Sequence, residues 1–578
     1  MTNTLSGKSQ GNEVPTKKKV TGAEAVVLSL LEEGVDILFG YPGGAIMPVY
    51  DELYKYQDQL KHVLVRHEQG AVHAAQGFAR VTNDVGVCIA TSGPGATNLI
   101  TGIADAMIDS TPLVCITGQV AKHLLGTDAF QETDVVGISM PVTKWNYQVT
   151  KASEIPEAIA KAFYLAKSGR PGPVLIDITK NAQFEEFDFE YKKCEKVRSY
   201  KPVEPAEEST LEEAAKLINE AKKPYILVGQ GVILSEAQKE FIEFVEKTGA
   251  PVASTLLGLS AVSADHPQYV GYLGMHGNYG PNVKTNECDV LIAIGMRFDD
   301  RVTGDLSRYA KQAKVIHFEI DPAEIDKNVK TDVAVIADAK EALTRLLPKL
   351  ENRTHDAWLE EFRACDRLEE EKVHVNDFAP DTKKPKMAEV VKMLSEMTEG
   401  KAVIVTDVGQ HQMVTTRYYE FRQSVSNVTS GGLGTMGFAL PAAIGAKFGK
   451  RDREVVMIAG DGGFQMTLQE LGTIMQEKLP VKILILNNSF LGMVRQWQQM
   501  FFERRYSFTE MDNPDFVKLA GAFDIEAMRV SDRESLHDGL TAMLNSEESF
   551  LLEVVVEKET NVFPMIPTGE SVSNVRLE

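Results

Sequence analysis

The sequence predicts an α/β protein built of three doubly wound, parallel-sheet domains, and three observations carry that reading. Short apolar runs alternate with amphipathic stretches of one helix length, as parallel strands buried on both faces and their crossover helices do. A chain of 578 residues has room for three or four domains at roughly 150 residues each. Two charged stretches, at 191–210 and 351–385, interrupt the alternation and read as linkers.

In order, residues 1–20 form a polar tail, with Lys17, Lys18 and Lys19 among Thr, Ser, Gly and Asn. Glu13 and the short length speak against a transit peptide. The first block, 21–190, has strands at GVDILFG, VGVCIATSGPG, PLVCITG and PVLIDIT. The second, 211–350, has strands at PYILVGQG, APVAST, DVLIAIGMRF and KVIHFEI. The third, 386–560, has them at AVIVTDVG, EVVMIAGDGG, VKILILNN and FLLEVVV. The tail 561–578, containing PMIPTGES, either closes over a site or frays.

Composition removes several function classes. With 61 basic against 82 acidic residues, the formal charge of -21 repels nucleic acid and anionic bilayers alike. Cys88, Cys115, Cys194, Cys288 and Cys365 are widely spaced and form no C-x-x-C pair, which fits a reducing cytosol; a bacterial cytoplasmic setting is expected ahead of a plastid. No window approaches 18 unbroken apolar residues, and no secretory signal is expected. An anionic ligand must then be held by backbone N–H groups, a metal ion or a few placed arginines.

The third block offers such a place. The strand EVVMIA ends at Gly460, Asp461, Gly462 and Gly463, and the next strand, VKILIL, ends at Asn487 and Asn488. Parallel neighbours finish on one sheet edge, so Asp461 and Asn488 meet where α/β folds bind ligands. A carboxylate with an amide oxygen suits Mg2+, whose shell a diphosphate would complete. The glycines let backbone N–H groups approach the anion. In the middle block, LVGQGV places Gly229 and Gly231 after a strand, a partial dinucleotide fingerprint.

GDGGFQMT followed by LNN resembles the thiamine diphosphate (ThDP) binding motif. The chain as a whole is similar to the acetohydroxyacid synthase (acetolactate synthase) large-subunit family: YPGGAIMPVYDEL, RHEQGAVHAAQGFAR, TSGPGATN, GTDAFQET, MRFDDRVTGD, DVGQHQM, GLGTMGFALPAAIGA and RQWQ fall in that family's order between residues 21 and 570. The resemblance implies an N-terminal pyrimidine-binding domain, a central FAD-binding domain and a C-terminal diphosphate domain. It implies that Asp461, Asn488 and the backbone carbonyl of Phe490 hold the metal, with Gln410, His411, Gly434, Gly460, Gly462 and Gly463 around the diphosphate. Met436 would be the ridge that bends the cofactor. Glu68 would hydrogen-bond its aminopyrimidine, a carboxyl in an apolar pocket being suited to proton exchange. His276, Arg297, Asp299, Glu319 and Asp338 would join Gly229 and Gly231 around FAD.

In that family pyruvate is decarboxylated and its two-carbon remnant joins a second pyruvate or 2-oxobutyrate, on the route to valine, leucine and isoleucine. The resemblance gives Arg301 the acceptor's carboxylate, Trp497 its alkyl group, Gly44 and Phe130 the pocket lining, and Gln131 a hydrogen bond to the reacting group. Because Glu68 and Asp461 come from different chains in such enzymes, a homodimer or homotetramer is implied, with a small regulatory subunit. Pyruvate oxidase or decarboxylase is the nearest rival, but such enzymes need no acceptor site like that of Arg301 and Trp497. Glyoxylate carboligase lacks the activating Glu, and a non-catalytic flavin scaffold would not need Glu68, Asp461 and Asn488 together.

Overall fold

The computed structural model describes residues 18–578. Of the tail expected over 1–20, the first seventeen residues lie outside the described ones, while 18–20 belong to a strand rather than a tail. The N-terminal domain holds β1 (Lys18–Thr21), β2 (Ile37–Gly40), β3 (Lys61–Leu64), β4 (Gly86–Ala90), β5 (Leu113–Gln119), β6 (Trp145–Val149), β7 (Pro173–Thr179) and β8 (Glu186–Phe189). β1 and β8 pair antiparallel, and the other six form a parallel sheet in the order β3-β2-β4-β5-β7-β6. The middle domain holds β9 (Pro224–Val228), β10 (Val252–Ser254), β11 (Tyr269–Tyr272), β12 (Val290–Ile294), β13 (Lys314–Glu319) and β14 (Val333–Ile336), ordered β11-β10-β9-β12-β13-β14. The C-terminal domain holds β15 (Val403–Thr406), β16 (Asn427–Thr429), β17 (Val455–Gly460), β18 (Lys482–Asn487), β19 (Glu526–Val530) and β20 (Phe550–Val555), ordered β16-β15-β17-β18-β20-β19.

Each six-stranded sheet has a switch point in its winding, at β2/β4, β9/β12 and β15/β17. At such a point the crossover loops leave in opposite directions and open a crevice at the carboxyl edge. The central strands are apolar along most of their length and buried on both faces, as the apolar runs in the sequence require.

The N- and C-terminal domains share one core. Helix Glu68–Thr82 lies against helix Ala439–Gly449, and Val72, Ala75, Ala442 and Ile444 pack in a single apolar cluster. Two glycines let the backbones touch: a Cβ on Gly77 would stand 1.9 Å from Ala442 O, and one on Gly445 1.8 Å from Ala74 O. Because backbone cannot yield as a side chain can, Gly77→Ala should cost about 1–3 kcal/mol. A lowered urea midpoint would check it.

Three expectations about chain segments change. Residues 351–385 are not a plain linker: helix Asp356–Glu369 buries Trp358 and Phe362 in the middle domain, and Trp358 Nε1 donates to Pro224 O at 2.9 Å. This segment is tied to the C-terminal domain by the buried pair Arg417–Glu369 at 2.6 Å. The linker 191–210 gives way to helix Glu208–Glu220 before its expected end. The tail 561–578 does not fray; Met565, Ile566 and Val572 are buried, and Ile566 N–H donates to Met275 O at 2.8 Å. Among the described residues all five cysteines are free, and no helix is long and apolar enough to cross a membrane.

Candidate active site

In the C-terminal domain, Gly460 on β17 pairs with Leu486 on β18, so Asp461 and Asn488 emerge side by side. Asp461 is buried; its Oδ2 accepts from Asn513 Nδ2 at 2.7 Å, whereas its Oδ1 has no hydrogen-bond partner. Burial pushes this carboxyl up to about 6. A buried carboxylate oxygen without a donor is costly unless a cation meets it. Among the described residues no three His, Cys, Asp or Glu side chains gather as a metal site. A cation here would therefore rest on one carboxylate, neutral oxygens and the charge of its own ligand, which is the chemistry of a magnesium diphosphate. Asn488 Nδ2 reaches Gln410 Oε1 at 3.4 Å, and Phe490 N–H donates to Asn488 Oδ1 at 3.2 Å, so two of the three expected metal residues, Asn488 and Phe490, share one turn.

The glycines here are space requirements. A Cβ on Gly460 would stand 2.9 Å from His411 Nδ1, and one on Gly463 2.4 Å from Asp407 Oδ1. Asp407, not singled out from the sequence, is buried at the end of β15 and accepts from the N–H groups of Gly437 and Ala439 at 3.0 and 3.1 Å, fixing the loop that carries Gly434 and Met436. His411 is buried, with its Nε2 unpartnered and its basicity lowered to about 4 by desolvation, so it is a neutral ring at the cavity wall. Gln410 donates to Gln496 Oε1 at 2.9 Å and to Thr560 O at 3.0 Å, which joins the site to the C-terminal segment.

This edge opens into one cavity of about 980 Å³ that also takes in the carboxyl edge of the middle sheet. That volume lies at the top of the range for a single ligand pocket, about 300–1,000 Å³. Its wall includes Gln410, His411, Gly434, Met436, Gly460, Gly462, Gly463, Asn488 and Phe490 from one domain and Gly231, His276, Arg297, Asp299, Glu319 and Asp338 from the other. Arg301 and Trp497 line it too; Arg301 is exposed, and Trp497 packs on Phe501 with ring centroids 4.9 Å apart.

The middle-domain residues need finer reading than the sequence allowed. Gly229 does not line the cavity; its missing Cβ would stand 2.2 Å from Gly295 O, so it serves strand packing. Asp299 Oδ1 caps a helical turn, accepting from Arg301 and Val302 N–H at 3.0 and 3.2 Å. Asp338 Oδ1 likewise accepts from Lys340 and Glu341 N–H at 2.9 and 3.1 Å. Glu319 Oε1 accepts from Ile320 and Asp321 N–H at 2.9 and 3.1 Å, and burial pushes its carboxyl up to about 7. His276 is buried with Nδ1 unpartnered, and desolvation ahead of the nearby Arg417 lowers it to about 4. Each carboxylate keeps its second oxygen, so a polar ligand of dinucleotide size fits the donor set.

Glu68, Gly44, Phe130 and Gln131 do not line this cavity. They sit together at the carboxyl edge of the N-terminal sheet. Glu68 Oε2 accepts from Asn98 Nδ2 at 2.9 Å, and Gly95 lies alongside, its absent Cβ 3.2 Å from Glu68 Oε1. Gln131, at φ 61°, packs on Gly93, and Gly43 beside Gly44 packs on Thr91. Phe130 is 89% exposed, a large apolar side chain with nothing from its own chain over it. Glu68 therefore stands outside the cavity that Gly460, Gly462 and Asn488 line.

Thiamine pyrophosphate enzyme families match along the chain: the N-terminal TPP binding domain over residues 20–138, the central domain over 211–346 and the C-terminal TPP binding domain over 407–554. The acetolactate synthase large subunit of Corynebacterium glutamicum is 47% identical over 571 residues, spanning 97% of this chain and 90% of its own length. The acetolactate synthase isozyme 2 large subunit of Escherichia coli is 46% identical over 560 residues, spanning 96% and 99%. The probable acetolactate synthase large subunit of Methanocaldococcus jannaschii is 45% identical over 565 residues, spanning 96% and 95%. Sheets, edges and full-length likeness agree, and the chain belongs to the acetolactate synthase large-subunit family of thiamine pyrophosphate enzymes.

Proposed function

We propose that this chain, assembled as at least a dimer, decarboxylates pyruvate and joins the remaining two-carbon unit to a second pyruvate or to 2-oxobutyrate, giving 2-acetolactate or 2-aceto-2-hydroxybutyrate. The observation that carries this reading is the unpartnered, buried Asp461 oxygen, whose neighbours Gly460, Gly462 and Asn488 line a cavity that Arg301 and Trp497 also line. Bound ThDP supplies a nucleophilic carbon and an electron sink for the decarboxylation. Asp461, Asn488 and the Phe490 carbonyl would hold Mg2+; Gln410, His411, Gly434 and Gly460 with its neighbouring glycines would surround the diphosphate, and Met436 would support the cofactor. From the other chain, Glu68 holds a proton at the pyrimidine nitrogen, and Gly44, Phe130 and Gln131 close the substrate side.

Arg301 is the cation for the acceptor's carboxylate, and Trp497 the apolar wall for its alkyl group. FAD occupies the middle-domain half of the cavity, against Gly231, His276, Arg297, Asp299, Glu319 and Asp338. A small regulatory subunit and a bacterial cytoplasmic setting complete the reading; the relatives' designation "large subunit" supports the first.

Supplying pyruvate, ThDP, Mg2+ and FAD and converting the product with acid to acetoin tests the proposal; acetaldehyde or acetate in place of acetoin would make the chain a decarboxylase or oxidase. Trp497→Leu should leave pyruvate decarboxylation within about threefold while shifting the choice between the two acceptors by about 10-fold, since one methylene in an apolar pocket is worth about 1–3 kcal/mol. Competition between pyruvate and 2-oxobutyrate reads the ratio, and an unchanged ratio removes Trp497 from specificity.

A further inference from the structure

Glu470 has no place in the reading above, yet it is among the most enclosed carboxylates of the chain, at 0% exposure. It lies in the turn Leu468–Glu470, just after helix Asp461–Thr467, and crosses from the C-terminal to the N-terminal domain. Both its oxygens accept from the backbone N–H of Arg66, at 3.0 and 3.2 Å, and Oε2 accepts from Thr473 Oγ1 at 2.7 Å. Arg66 ends the connection from β3 to helix Glu68–Thr82 and stands two residues before Glu68.

The neighbouring contacts converge on the same turn. Thr473 Oγ1 also reaches Leu64 O at 3.2 Å, and Arg66 Nη2 donates to Gly472 O at 2.9 Å. Gly70, in the first turn of the Glu68 helix, has no room for a Cβ, because that atom would stand 2.4 Å from Glu470 Oε1. The carboxylate thus fills the space beside the helix start and fixes the backbone entering it. An N–H donated to an enclosed acceptor of this kind is costly to leave unpaired, which holds the Arg66 backbone to Glu470.

We infer that Glu470 is a positioning residue for the acid–base carboxylate: by holding the Arg66 turn it sets where Glu68 stands toward the cofactor. The inference rests on the role proposed for Glu68. It gives the segment 461–470 two duties, since its start belongs to the diphosphate site of its own chain and its end steers a carboxylate that serves the other chain.

The experiment measures hydrogen–deuterium exchange at the thiazolium C2 of bound ThDP, by acid quench and NMR, in holoenzyme carrying Glu470→Ala, Gly70→Ala, Glu470→Gln or Glu68→Gln. Misplacing a catalytic group by about 1 Å costs on the order of 100-fold, so Glu470→Ala and Gly70→Ala should slow exchange and turnover together by about 10–100-fold. The KM for pyruvate and the ThDP dissociation constant should stay within about threefold. Glu470→Gln, whose amide oxygen still accepts from Arg66 N–H, should recover most of the rate; a purely packing role would not separate exchange from binding in this way. Exchange at the parent rate in Glu470→Ala overturns the inference, and if that variant does not fold, parent-rate exchange in Gly70→Ala does so. Parent-rate exchange in Glu68→Gln instead removes the Glu68 reading itself.

Discussion

Glu68→Gln is expected to cut acetolactate formation by about 10²–10⁴-fold, the share that a positioned acid–base group supplies, while ThDP remains bound. The substitution is a narrow one. A glutamine side-chain oxygen can still accept from Asn98 Nδ2, as Glu68 Oε2 does at 2.9 Å, and the helix start keeps its shape. Lost is the capacity to hand over and recover a proton at the pyrimidine. Turnover should therefore fall with little change in the KM for pyruvate, the pattern of an interaction that acts in the transition state. Initial rates by acetoin formation and a fluorescence titration with ThDP check the two halves. A variant that turns over normally, or that fails because ThDP no longer binds, contradicts the assignment.

Much of this site was legible in the sequence because it is made of local motifs at strand ends. Gly460 to Gly463 and Asn488 sit at the ends of adjacent parallel strands, and strand adjacency follows from βαβ order, so their meeting could be read from spacing. Asn513, which holds Asp461 Oδ2, could not: it arrives from a loop with no periodicity and no motif. Asp407 is similar, its carboxylate satisfied by backbone N–H groups some thirty residues on, a contact that only tertiary folding creates. The helix inside 351–385 was concealed by its charge. Trp358, Phe362 and Cys365 recur at helical spacing, but acidic and basic residues on the outer face dominate the composition. The tail 561–578 has no strand or helix pattern because it is held piecewise, by Gln496 through Val562 and by Met275 through Ile566. Asp299 and Asp338 show the opposite hazard: a carboxylate after a strand reads as a ribose ligand, yet each spends one oxygen on a helix start.

Asp461→Ala is expected to weaken Mg2+ and ThDP together, by more than the roughly 10–100-fold that even outer partners of a metal ligand are worth. FAD, held against the middle domain, should bind as before, which separates loss of the metal site from general damage. Without ligands the same change should raise stability. Burial lifts the folded-state value of Asp461 to about 6, above its ordinary 3.8, so the folded apoprotein bears a cost of ionisation that is absent at low pH and grows as pH rises between those values. Removing the carboxyl removes that cost, and apo Asp461→Ala should gain on the parent at pH 7 relative to pH 4. The two largest predictions can also be set against each other. In a heterodimer of Glu68→Gln with Asp461→Ala, pairing across chains gives one site two intact halves and the other none. Pairing within a chain leaves both sites broken. Random mixing of the two inactive proteins should then restore about one quarter of the parent activity, half the dimers being mixed and half their sites intact. No recovery on mixing would mean that Glu68 serves the Asp461 of its own chain, although Glu68 stands outside the cavity that Gly460 and Asn488 line.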